Sequence, residues 1–243
     1  MRVMLNARYA PWCYPDWMEP CLSIDGGRAR VPVSVFDHAG FRAWATSGAV
    51  PEWLRIAFVG GEVLIEMSPE AIETHNKAKR KITETLGRLI DDEDLGEAYA
   101  DGVLLTNEDA QLSTEPDFAF VSWASFQTGR VRLVEKANRA DDHVELEGAP
   151  DLVVEVVSDS SMRKDTELLL DAYRRAGIPE YWLVDARDRD EIRFQILTLE
   201  NGAYRASSPP DQPQHSAVLG RSFSLSRTRN REGRWRYELR AAG

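Results

Sequence analysis

The run Leu152-Val153-Val154-Glu155-Val156-Val157, within "APDLVVEVVSDSS" (149–161), constrains the fold more than any other stretch of the chain. Its valines favour a strand, and unbroken apolarity in place of alternation means that both faces of that strand are covered. Such a strand lies inside a sheet with other elements packed above and below it. Glu155 breaks the run. An ionised carboxylate in a covered strand costs several kcal/mol unless it is paired or bound to a metal. Two compensations are open: a divalent ion, or an ion pair with a core-facing cation such as Lys79 or Lys164.

The neighbouring segments supply the cover. "VSVFDHAGFRAWATSG" (33–48) predicts a short helix from Asp37, and "RIAFVGGEVLIEM" (55–67) predicts a hairpin turning at Gly-Gly. Ser68 as cap and Pro69 in the first turn predict a helix running to about Ile90. Its inward stripe reads Ile72, His75, Lys79, Ile82, Leu86 and Leu89. Because the first half of that stripe is polar, either this end projects past the core or it points His75 and Lys79 into a site. Strands are expected at 97–106, 117–122 and 151–157, and a second helix over 165–176, ended by Gly177 and Pro179. Leu169, Ala172, Tyr173 and Ala176 form its buried face. A buried strand at 180–186 and a hairpin turning at Asn201-Gly202 complete an α/β sandwich around a mixed sheet.

A length of 243 residues suffices for one ample core, and no apolar stretch is long enough to span a bilayer. The N-terminal residues lack the apolar segment of a secretory signal. Cys13 and Cys21 have no CxxC or HxxxH companions and read as free thiols of a reducing cytoplasm, with a disulfide or redox role as the alternative. The net charge of −10 argues against a nonspecific nucleic-acid coat protein, while allowing an enzyme that touches nucleic acid through one local patch. The acidic stretches "DDEDLGE" (91–97) and "ADDHVELEG" (140–148) read as solvated loops or helix ends.

Chemistry concentrates where two prolines lead into strands. "EPD" ends at Asp117, and "APD" leads to Glu155 four residues after Asp151. Two carboxylates converging there, with waters and a backbone carbonyl, suit Mg²⁺ or Mn²⁺. Such an ion would balance Glu155, polarise a phosphoryl oxygen and lower the pKa of bound water. His75 reads as a hydrogen-bonded core residue or as part of the site. Glu66 lies on an exposed hairpin face or, being next to the helix start, approaches the site. Ser158, Ser160 and Ser161 read as helix caps.

With these segments in view, the sequence resembles the Uma2 family of the PD-(D/E)XK restriction-endonuclease-like superfamily. The resemblance rests on "GGEVLIEMSPEAIETH" (60–75), "EPDFAFVS" (115–122), "APDLVVEVVSDSS" (149–161) and "DAYRRAGIPEYWLVD" (171–185), the last with a Tyr-x-x-x-Gly-x-x-x-Tyr-Trp pattern. It implies a restriction-endonuclease-like αβββαβ core, with a mixed central sheet flanked by helices and further hairpins. It also implies Mg²⁺- or Mn²⁺-dependent hydrolysis of DNA, with Asp117, Glu155 and the backbone carbonyl of Val156 as metal ligands. The corresponding organisation is an extension at 1–32, a nuclease-like domain at 33–225 and a tail at 226–243 with room for an added strand. A homodimer is in keeping with the resemblance.

One departure stands out. The superfamily places a lysine two residues after the glutamate, where this chain has Val157; Uma2 proteins usually bring one from the next helix, where this chain has Leu169. Lys164 is one candidate replacement, although five residues correspond to about 140° around an α-helix. Lys79 is the other. The alternative is a silenced nuclease fold that serves in binding or assembly.

Overall fold

The computed structural model describes residues 20–24, 29–136 and 139–242; Cys13 and most of the predicted N-terminal extension lie outside them. Cys21–Ile24 (β1) and Ala29–Pro32 (β2) form a small antiparallel ribbon ahead of helix His38–Ala45 (α1), whose N-terminal amide at Gly40 is capped by Asp37 at 2.8 Å. Arg55–Val59 (β3) and Glu62–Glu66 (β4) are the predicted hairpin, with Gly60 and Gly61 at positive φ as a tight turn requires. Helix Lys77–Asp92 (α2) leads to strand Gly96–Ala100 (β5). Leu104–Asn107 (β6), Leu112–Thr114 (β7), Phe118–Ser122 (β8), helix Trp123–Gln127 (α3), Val131–Lys136 (β9) and Arg139–Gly148 (β10) follow. Leu152–Val156 (β11), helix Leu169–Ala176 (α4) and Glu180–Asp185 (β12) come next. Arg193–Glu200 (β13) and Ala203–Ala206 (β14) form the hairpin at Asn201-Gly202, and Gln214–Ser216 (β15), Arg221–Arg229 (β16) and Trp235–Ala242 (β17) close the chain.

The central sheet runs β14-β13-β12-β11-β8-β5. In it α2, β5, β8, β11, α4 and β12 make an αβββαβ core, with β11 and β12 parallel across the α4 crossover and the other neighbours antiparallel. The excursions between these elements assemble a second sheet, β4-β3-β7-β6-β10-β9, and the C-terminal strands form a third, β15-β16-β17. All five residues of β11 are buried. Leu152, Val154 and Val156 pack with Ile82 and Leu86 of α2, while Val153 packs with Leu169, Ala172 and Tyr173 of α4. The unbroken apolar run is thus accounted for: each face of the strand has its own helix.

Four local expectations give way to the structure. The segment 97–106 is two strands in different sheets, because Asp101-Gly102 turns the chain between them. Residues 140–148 are strand rather than loop; buried Glu145 is held by Arg42 of α1 at 2.8 Å, a partner 103 residues away. Ser68 does not cap a helix, since the chain stays non-helical to Ala71 and begins with a π-helical turn, Ile72–Asn76. Ile72 is exposed, because that turn rotates it out of the stripe while His75, Lys79, Ile82 and Leu86 stay buried.

Candidate active site

β8 and β11 pair in a register that sets Val154 opposite Phe118, so the next positions, Glu155 and Asp117, meet at the end of the ladder. Ala119, Val121 and Val153 pack in the cluster beneath α4, and the period-two alternation of a strand gives Asp117 and Glu155 that same face. Asp117 Oδ2 accepts the backbone N–H of Val156 at 2.7 Å. The phenol of Tyr173, one helix turn beyond Leu169, donates to Glu155 Oε1 at 2.6 Å. Glu66, His75, Asp117, Glu155, Val156, Lys164 and Asp165 line one cleft of about 60 Å³. That is room for an ion and a few waters.

Two π-helical turns deliver the basic residues. Ile72–Asn76 places His75 with Nε2 3.6 Å from Asp117 Oδ2 and Nδ1 3.3 Å from Glu70 Oε2. Lys164–Leu168 precedes α4, and its i to i+5 closure, Leu169 N–H to Lys164 C=O, overturns the expected 140° offset. Wider winding brings Lys164 round to the cleft, while Leu169 is fully buried in the core. Single π turns of this kind recur at functional sites. Lys164 Nζ lies 3.7 Å from Glu66 Oε2 and 3.6 Å from Asp165 Oδ1. Lys79 lies to the other side, held by Glu70 and by Asp101 at 2.9 Å, with Asp117 Oδ1 at 3.4 Å. Of the two candidate lysines, Lys164 lines the cleft with Glu155, and Lys79 buttresses Asp117 from behind.

The electrostatics follow from this crowding. Burial pushes the Glu155 carboxyl well above its ordinary range; Lys164 opposes the rise, and Asp165 and Asp117 add to it. Burial also pushes Asp165 up to about 6. Asp117 goes the other way: its burial is outweighed by His75, Lys79 and the Val156 amide, which hold it low. Burial works against the charged forms of His75 and Lys164, yet the carboxylates around each raise both. Glu70, despite partial burial, is drawn down to about 2 by Lys79, Asn76 and His75.

Asp165, Glu70 and Tyr173 belong to the site but escape a sequence reading that looks for site residues. Asp165 resembles an ordinary first-turn helix acid, Glu70 follows a proline as capping acids do, and Tyr173 reads as core. The only signal for Asp165 is its place beside Lys164. Asp165 also makes a sign-definite prediction. Its folded carboxyl binds a proton more tightly than an unfolded one, 3.8 rising to about 6, so metal-free stability falls as pH rises through that window, by up to about 3 kcal/mol. Asp165→Asn removes the penalty. In EDTA it melts higher than the parent at pH 8 and shows no advantage below pH 4, as thermal denaturation at the two pH values will show.

A divalent cation fits these residues. Buried Glu66 Oε1 and Asp165 Oδ1 have no hydrogen-bond partner within the chain, and both residues line the cleft. Among the described residues no group of three or more His, Cys, Asp or Glu side chains is arranged to hold a metal ion by itself, so water and substrate must complete any shell. Mg²⁺ ordinarily takes one or two carboxylates and completes its shell with water and substrate phosphate.

The αβββαβ core and a carboxylate cleft at its strand ends define a nuclease-like fold. A family model described as "Uma2: Putative restriction endonuclease" matches residues 39–228, and the chain belongs to that family. It is also similar to a protein from Anabaena variabilis ATCC 29413, whose crystal structure is described as that of a putative nuclease belonging to DUF820. The two are 14% identical with a TM-score of 0.50, over 68% of this chain and 83% of that one, a likeness of fold. No curated protein matches the chain. Among the described residues no helix is long and apolar enough to cross a membrane.

Proposed function

We propose that the protein is a Mg²⁺- or Mn²⁺-dependent endonuclease that hydrolyses DNA phosphodiester bonds. The observation that carries this reading is the convergence of buried Asp117 and Glu155 in one cleft with Lys164. Asp117 and Glu155 would hold the ion, with the carbonyl of Val156 as a further donor. When bound, the ion supplies charge stabilisation at the phosphoryl group and a more acidic water. The chain's own groups do the positioning. Tyr173 fixes one oxygen of Glu155, and the Val156 amide fixes one of Asp117. Lys164, kept protonated by the surrounding carboxylates, faces the charge that develops on the phosphoryl oxygens. The backbone phosphate would meet the cleft at its mouth. Lys164 also weighs against a silenced fold, since the cation missing at position 169 is replaced within the same cleft. A cytoplasmic homodimer completes the reading.

The test is nicking of supercoiled DNA with Mn²⁺ or Mg²⁺. Cleavage should stop in EDTA and be lost in Asp117→Ala; activity that persists in both would overturn the assignment.

A further inference from the structure

The net charge of −10 is unevenly placed. Residues 221–242 contain seven arginines and two glutamates. The hairpin of β16 and β17 buries Phe223, Tyr237 and Leu239 against α2 and the central sheet. Its opposite face is polar apart from Ala242 at the strand end. There Ser224 stands opposite Arg240, Ser226 opposite Glu238, and Thr228 opposite Arg236, and all six are exposed. Glu238 forms an exposed pair with Arg240 at 2.8 Å, which a phosphate can replace, and also lies near Arg236 and Lys81 of α2. Arg231 and Arg234 extend the positive surface at the exposed turn.

This surface is tied to the cleft. Trp235 donates its N–H to Glu73 at 2.7 Å, and its carbonyl accepts from Lys77 at 3.2 Å. Glu73 lies in the same π turn as His75, so the arginine hairpin is anchored to the element that forms the cleft wall.

We propose that the outer face of the β16–β17 hairpin is a binding surface for the sugar-phosphate backbone of duplex DNA, resting on the nuclease reading of the neighbouring cleft. The hydroxyls of β16 and the guanidiniums of Arg236 and Arg240 on β17 are groups that contact phosphate without reading sequence. Arg236 and Arg240, about 13 Å apart along the strand, reach separate phosphates. A duplex is favoured over a single strand because single-strand sites present aromatic platforms for unstacked bases. Here Phe223 and Tyr237 are turned inward.

The experiment measures binding of a fluorescein-labelled DNA duplex in EDTA over a KCl series, so that no cleavage intervenes. The slope of log K against log salt should fall by about 0.9 for each phosphate contact removed. The combined Arg234→Ala, Arg236→Ala, Arg240→Ala variant should therefore lose about 2 to 3 from that slope. Arg236→Glu alone should move it the same way, with the parent's melting temperature in both. Asp117→Ala should keep the parental slope while losing cleavage, which separates this face from the chemistry. An arginine-dependent slope in a protein that never cuts DNA supports the face and removes the nuclease reading beneath it. An unchanged slope in the triple variant overturns the proposal, as does tighter binding of an RNA duplex than of DNA.

Discussion

Glu155→Gln reduces metal-dependent cleavage by about 10³-fold or more and leaves the melting temperature of the metal-free protein at pH 8 unchanged or higher. The two halves have one cause. A cation at a phosphoryl group contributes several kcal/mol to transition-state charge stabilisation, and each 1.36 kcal/mol is about tenfold in rate. Removing a ligand charge forfeits most of that. In the metal-free protein the same charge is a burden, since burial raises the Glu155 carboxyl well above its ordinary range. An amide has the shape of the neutral acid and still accepts from the Tyr173 phenol, so little packing is lost. The order should reverse with Mn²⁺ present, because a ligand that binds the folded state raises its stability and the variant forgoes that gain. Paired melting curves and nicking rates read both halves. A variant within tenfold of parental activity removes Glu155 from the chemistry.

Lys164→Met lowers the cleavage rate by about 10² to 10³, the usual effect of removing one preorganised group facing developing charge. It should also alter the pH profile in a way that a merely structural lysine would not. Lys164 opposes the upward shifts of both Glu155 and Asp165. Without it the two carboxyls hold their protons to higher pH. Metal binding requires Glu155 deprotonated, so the acid limb of the activity profile moves to higher pH. Lys164→Arg keeps the charge and holds that limb in place, although a planar guanidinium cannot reproduce the ammonium's contacts. An unshifted limb in Lys164→Met would show that Lys164 does not set the protonation of these carboxyls.

Much of this was legible because local and global requirements agree. The covered strand, its glutamate, the Gly-Gly and Asn-Gly turns and the helix ended by Gly177 are each set by residues within a few positions of one another. Gly177 takes the left-handed conformation that a helix end demands. The second sheet was harder to see. β7 is three residues long, and β10 carries acids whose burial depends on Arg42 far away in sequence. Tertiary contacts overrode their charged appearance. The site divides the same way. Asp117 and Glu155 announce themselves through prolines and an interrupted apolar run, whereas the reach of Lys164 depends on a π turn that α-helical arithmetic does not contain. Glu70 likewise looks like helix, yet the chain there is non-helical and its carboxylate meets Lys79 and His75.

The most direct measurement is anomalous diffraction from crystals soaked in Mn²⁺. A peak is expected between the carboxylates of Asp117 and Glu155, absent from Glu155→Gln crystals grown and soaked alike. No peak at that position, with Lys164 closed onto Glu155 in its place, would contradict that metal site.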